Sequence, residues 1–429
     1  MLTIPQRGYL RPRLSRARSE GFEPPNLLTL LGLSRAHRRI HLGLSVHVDN
    51  VAAVFLYFGV GMRLLLFADL HLDTPFRWAP PELARTRRRA LRATLARVCR
   101  LAVDLRVDAL CCGGDLYEQE RFTPDTAEFL RSSFEQLYPL PVLLAPGNHD
   151  WFGPMSLYRQ VSWSSNVRVF TEDRLRPVEL ADGLTIWGAA HRAPANTPGF
   201  LDGFRVDRKG VNLALFHGSE QGELTFQERG KVPHAPFRAE QIVMAGLDHA
   251  LLGHFHIPRD APRHTYPGNP DPLTFGESEG RGAVLVNVAA DGSVTRERYR
   301  VATSAVSDVT VDLTGVTHSG QVVDYVLEAV AGRSGVVRAT LCGELGPNVD
   351  LRLRDLAALP VPQLDALLPR LGQISVAYDY ERLKDEQTVR GQFVRDVLSE
   401  GSLSDEQRRR VLVTGLRALD SRGDELEVH

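Results

Sequence analysis

Apolar residues recur along this chain with a period near two in some segments and near 3.6 in others. The switches between them outline its elements. Residues 63–68, RLLLFA, form an apolar run of strand length. From residue 81 to 104 the spacing is helical, with Leu91, Leu95, Val98 and Leu101 on one face. A second buried strand is predicted at 108–112. Thr123-Pro124-Asp125 joins an N-cap, a first-turn proline and an acid that suits the positive helix end. A helix should run from there to about residue 137, before a third strand at 142–145. Two strand–helix units and a third strand imply an α/β layer with right-handed crossovers.

Further strands are predicted at 184–190, 211–216 and 250–252, the last after a short helix at 239–245. Strands at 283–288 and 293–301 are joined by Ala290-Asp291-Gly292, a hairpin signal. The pattern then changes. Segments 309–313, 321–331 and 336–341, a helical stretch at 364–371 and a segment at 374–378 suggest a small α+β unit. Two helices close the chain, with apolar stripes at Val389, Phe393 and Val397 and at Leu412, Leu416 and Leu419. Ser404 with Gln407 forms a capping box for the last one. The expected organisation is an N-terminal extension over 1–61, a main domain over 62–301, a cap over 302–380 and a helical segment over 381–429.

A chain of 429 residues can bury a large core in two or three domains. Its net charge is −1. The first 61 residues carry eight Arg, no Lys and three acids, net +5, which leaves −6 for the rest. The apolar run at 51–61 is too short to span a bilayer and leads straight into the first core strand. Met62 sits one residue before that strand, so residues 1–61 are expected to be disordered or mis-called, a basic arm being the alternative. Four cysteines make no CxxC pair, which points to reduced thiols and a cytoplasmic setting.

The chemistry collects where apolar strands end. Asp69 and His71 form D-x-H after the first strand. Asp115 follows Gly113-Gly114 after the second, and Asn148 and His149 lie in the turn PGNHDW after the third. His217 ends the run LALF, and His254 and His256 form G-H-x-H after ALL. Open α/β sheets place their sites at such carboxyl ends. Two Asp, one Asn and four His make an oxygen–nitrogen shell without thiolate. That is too many ligands for one ion, and the set suits Mn²⁺, Fe or Zn²⁺. Two such ions would clamp the oxygens of an in-line phosphoryl displacement and activate water.

DLH, GGD, GNHD, His217 and GHFH resemble, in order, the five motifs of the calcineurin-like metallophosphoesterases. RLLLFADLHLD and YPGNPDPLTFGE are similar to the SbcD-like DNA repair exonucleases. The resemblance covers about residues 62–300. It implies an α/β fold, a layered β-sandwich flanked by helices with a smaller α+β C-terminal cap. It implies that Asp69, His71, Asp115 and His256 hold one ion, and that Asp115, Asn148, His217 and His254 hold the other. Asp115 would then bridge. His149 would serve the leaving oxygen, and Asp150 would hold its ring, unless Asp150 is only a turn residue. Some nuclease relatives have a His where Glu118 stands, which bears on the balance of exonuclease and endonuclease action.

The implied function is a Mn²⁺-dependent DNA phosphodiesterase, a 3′–5′ exonuclease that also nicks, acting in DNA repair. Its implied partner is an SbcC-like coiled-coil ATPase of the SMC type. A homodimer is left open and no membrane is expected. The alternative is a phosphoesterase for a nucleotide or other small ester. A non-catalytic scaffold is disfavoured by the complete ligand set. Arg85, Arg87, Arg88, Arg89, Arg92 and Arg408–Arg410 either touch phosphates or form solvated helix faces. Tyr117, Phe122 and Trp151 either stack on bases or anchor loops. His191, His234, His249 and His264 lack ligand spacing, although His191 follows a strand end.

Overall fold

Strand β1 (Met62–Phe67) is apolar on successive residues because both of its faces are covered. Leu65 and Phe67 pack with Leu91, Leu95 and Val98 of helix Pro81–Asp104, while Leu64 and Leu66 meet Leu213, Leu215 and Leu251 of a second sheet. Our computed structural model describes residues 61–222, 233–277 and 280–420. The expectations for residues 1–61 therefore fall, apart from Gly61, outside the described residues.

The first sheet continues with β2 (Ala109–Cys112), β3 (Val142–Leu144) and β4 (Val167–Val169). β1 through β4 run parallel, each beside the next. Next come β5 (Arg176–Ala181), β6 (Leu184–Gly188), β7 (Val211–His217) and β8 (His249–Gly253). β9 (Arg259–Asp260) and β10 (His264–Tyr266) complete a second sheet of order β5-β6-β7-β8-β10-β9. β11 (Ala283–Val288) and β12 (Val294–Tyr299) return to the first sheet as the expected hairpin, beside β1. The two sheets pack face to face, and Cys111 lies in the core between them. Cys112 points the other way, into the helix layer, as the pleat requires. This is the expected α/β sandwich flanked by helices.

Beyond it, β13 (Val306–Asp312), β14 (Gly335–Leu345) and β15 (Leu364–Val376) form an all-parallel sheet of three strands. Helices Ser319–Val330 and Leu353–Ala357 make the crossovers and cover one face. The helix expected at 364–371 is corrected: the segment is the first part of β15. Leu364, Leu367, Leu368 and Leu371 mimic helical spacing, but Pro369 would break a helix interior. An edge strand tolerates it, and β15 is an edge, with Pro369 opposite Ala339.

The closing helices, Val389–Ser399 and Asp405–Leu419, pack through Val394, Val397, Leu412, Val413 and Leu416 against Tyr378 and Leu383. The expected stripes are thus largely consumed inside the chain, while Val389, Val411 and Leu419 stay exposed. The Ser404–Gln407 box forms. Among the described residues, no helix is long and apolar enough to cross a membrane.

Candidate metal centre

Loops at the carboxyl ends of β1, β2, β3, β7 and β8 meet at one rim. The first two are zipped together: the Asp69 amide donates to the Gly114 carbonyl and the His71 amide to the Asp115 carbonyl, both at 2.9 Å. Turning this sharply costs backbone strain. Asp69, His71, Asp115 and His254 sit at φ of 55°, 51°, 51° and 114°, where side chains are disfavoured. Gly114, at φ 103°, has no such choice, because an added Cβ would lie 2.6 Å from His217 Nδ1.

The side chains then converge. His71 Nε2 lies 3.2 Å from His256 Nε2 and 3.6 Å from Asp115 Oδ2. His217 Nε2 lies 3.2 Å from the same Asp115 oxygen, 3.1 Å from Asn148 Oδ1 and 3.3 Å from His254 Nδ1. Asp69, His71 and His256 form one triad of potential ligand atoms, and Asp69, Asp115 and His217 another, each within 4.8 Å. The seven side chains singled out in the sequence are therefore one connected cluster, with Asp115 between its halves. Asp69, His71, Asp115, Asn148 and His217 are buried, and His254 and His256 half-buried.

The outer contacts decide which ring nitrogens face inward. His71 Nδ1 is 2.7 Å from Glu118 Oε1, His217 Nδ1 3.0 Å from the Gly113 carbonyl and His256 Nδ1 3.2 Å from Glu277 Oε1. These oxygens accept, so each neutral ring carries its proton on Nδ1 and turns a lone pair inward from Nε2. Two such lone pairs face each other at 3.2 Å between His71 and His256. That arrangement is repulsive unless a positive charge lies between them. The electrostatics agree. Burial pushes the Asp115 carboxyl up, but His217, His71 and His149 hold it well below the usual range. Burial pulls His217 down, yet Asp115 and Asp69 raise it to about 9. A centre so rich in carboxylate and imidazole lone pairs fits divalent cations.

Some expectations are corrected. Asp150 makes no hydrogen bond to the His149 ring. It is fully buried and accepts from the Gly147, Asp115 and Leu116 amides at 2.6, 3.1 and 2.7 Å and from the Tyr158 hydroxyl at 2.6 Å. It clamps the loops after β2 and β3 together. The carboxylate on His149 is Glu118, whose Oε2 lies 3.0 Å from Nδ1. Glu118 thus spans His71 and His149. Burial lowers the His149 pKa, but Glu118 and Asp115 outweigh it and raise it to about 9.

Tyr117 is wholly buried, its hydroxyl accepting from the Leu157 amide, so it anchors a loop and cannot stack on a base. Arg87 is buried against Asp271, and Arg408 donates to carbonyls at the end of helix Val389–Ser399, so neither is free for phosphate. His191 proves to support the rim: it is buried with Nε2 2.8 Å from the His217 carbonyl and Nδ1 2.8 Å from Thr197. Glu277 went unread in the sequence, where its one signal was the motif that contains it.

A strand-end cluster of carboxylate, amide and imidazole on an α/β sandwich has the donor set of a divalent-metal centre. Residues 62–258 match the calcineurin-like phosphoesterase family, which supports the metallophosphoesterase superfamily and its divalent-metal hydrolysis for this domain. The chain is 27% identical over 262 residues to an uncharacterized metallophosphoesterase, YhaO, of Bacillus subtilis, covering 58% of this chain and 62% of that protein. It is 27% identical over 275 residues to the DNA double-strand break repair protein Mre11 of Methanopyrus kandleri, covering 56% and 57%. The chain thus spans about three-fifths of the length of these curated relatives. The crystal structure of TT1561 from Thermus thermophilus aligns over 56% of this chain and 99% of its own. Its TM-score is 0.36 at 14% identity, too low to bear on function.

Proposed function

We propose that this protein is a Mn²⁺-dependent DNA phosphodiesterase, a 3′–5′ exonuclease with nicking activity, that works in DNA repair in the cytoplasm with an SbcC-like coiled-coil ATPase. The observation that carries the chemistry is the convergence of seven ligand-type side chains about Asp115. The similarity to the Mre11 protein supports DNA as substrate. So does a cleft of about 400 Å³ between the main domain and the cap, lined by Trp78, Phe275, Arg338, Arg354 and Arg370 and by no acid. Val389, Val411 and Leu419 are exposed apolar side chains on the two closing helices, which is where the ATPase would dock.

Asp69, His71, Asp115 and His256 would hold one ion and Asp115, Asn148, His217 and His254 the second. Two divalent ions supply activated water and charge stabilisation for in-line displacement. The chain's own residues do the rest. Asp115 spans both halves of the cluster and accepts the His149 amide at 2.8 Å, so it ties the candidate acid to the residues that would hold the ions. Glu118 engages His149 Nδ1, which leaves Nε2 to donate to the leaving oxygen. That ring is 47% exposed, within reach of a substrate at the rim.

The test is degradation of linear duplex DNA with and without Mn²⁺, run beside hydrolysis of bis-p-nitrophenyl phosphate. Metal-dependent loss of DNA from the 3′ end, abolished by His149→Ala, is the expected result. Hydrolysis of the small diester with intact DNA would overturn DNA as substrate and leave the phosphoesterase standing.

A further inference from the structure

The segment YPGNPDPLTFGE contributes no side chain to the cluster about Asp115, yet it buries polar groups at both ends. At one end Glu277 places Oε1 3.2 Å from His256 Nδ1. Its other oxygen accepts the Leu273 amide and the Asn269 side chain, both at 2.6 Å. The loop backbone also rests on the histidine's own backbone. At Gly268, φ 73°, an added Cβ would come 2.7 Å from the His256 carbonyl oxygen.

At the other end Asp271, fully buried, accepts from Arg87 at 3.1 Å, from the Thr94 hydroxyl at 2.7 Å and from the Thr303 amide at 2.9 Å, and it also takes the Ser304 hydroxyl. Thr303 and Ser304 belong to the strap that leads into β13 and the cap. A third contact joins the loop to the cap sheet itself. The Arg338 guanidinium of β14 lies 4.1 Å from the centre of the Phe275 ring, which packs on Trp78. A cavity of about 750 Å³, bounded by Glu277, Arg281, Arg300, Ser304 and Asp308, separates the remainder of the loop from the strap. The link between cap and loop therefore runs through a few named contacts.

We propose that loop 267–277 couples the position of the cap to the metal centre, with Glu277 as the positioning residue for His256. A cap shifted by a partner or a bound strand moves Phe275 and the strap. The loop carries that shift to Glu277, and the His256 ring loses or gains its outer hydrogen bond. The proposal rests on the cluster about Asp115 being a metal centre. It differs from it in placing control of one ligand outside the rim.

Calorimetric titration of the full chain with Mn²⁺ tests this without using activity. Glu277→Gln should weaken binding about 10- to 100-fold, as loss of an outer partner of a ligating histidine does. Arg338→Ala and Asp271→Asn should each weaken it about 2- to 30-fold, although neither touches the cluster. Adding Asp271→Asn to Glu277→Gln should cost no more than Glu277→Gln alone, because Asp271 acts through Glu277. Arg338 is half-exposed and can be replaced without opening a core, so it decides the matter if Asp271→Asn does not fold. Wild-type affinity in folded Arg338→Ala, or full additivity in the double variant, overturns the coupling alone. A wild-type chain that takes up no Mn²⁺ overturns the metal centre and the coupling with it.

Discussion

The rim of the sandwich and the cap spend buried space in opposite ways. At the rim Asp69, His71, Asp115, Asn148, Asp150, His191 and His217 are buried polar groups packed against one another. In the cap, the core beneath the three-stranded sheet is aliphatic, from Val309 and Val311 to Leu367 and Ile374. Backbone strain follows the same division. Among the described residues, nine that are not glycine have positive φ, and all precede residue 255. Buried polarity and strain are both costly, so they persist only where something else requires them. The core of the cap shows what this chain does where only stability is at stake, and the rim shows what it gives up for a site.

That contrast sets the order of expected effects. Asp115→Ala should have the largest, since one carboxylate serves both halves of the cluster. Diester hydrolysis should fall by more than the roughly 100-fold upper range for an outer-shell partner. Circular dichroism should show the fold retained, and metal analysis should show lost Mn²⁺. His149→Ala comes next, with kcat lower by about 10²- to 10⁴-fold as for loss of a general acid. Its Mn²⁺ content should stay at wild-type level, which separates acid from ligand. Leu341→Ala, in the cap core, should cost about 2–5 kcal/mol of stability, measured by denaturant unfolding, and leave saturating Mn²⁺ stoichiometry intact. Smallest is Ser404→Ala, which removes the hydroxyl accepting the Gln407 amide and should lower stability by about 1 kcal/mol in the same assay.

Legibility in the sequence follows the same line. The strands β1, β2 and β3, the helix Pro81–Asp104 and the hairpin of β11 and β12 were readable because strong local patterns agree with the tertiary burial. The clustered side chains were readable because each follows an apolar run and a glycine or turn. β4 and β5 escaped notice since they are short or half-exposed edges without clean alternation. β15 read as a helix because four leucines share helical spacing, and only pairing with β14 decides otherwise. Long-range partners were the least visible. Nothing near Arg87 announces Asp271, nothing near His256 announces Glu277, and nothing local tells that Asp150 serves three amides in place of one ring.

The most direct measurement is anomalous diffraction at the manganese edge from crystals soaked in Mn²⁺. The account predicts two peaks flanking the Asp115 carboxylate, one beside His71 and His256 and the other beside Asn148, His217 and His254. A rim that shows no peak, or a single peak away from Asp115, would contradict it.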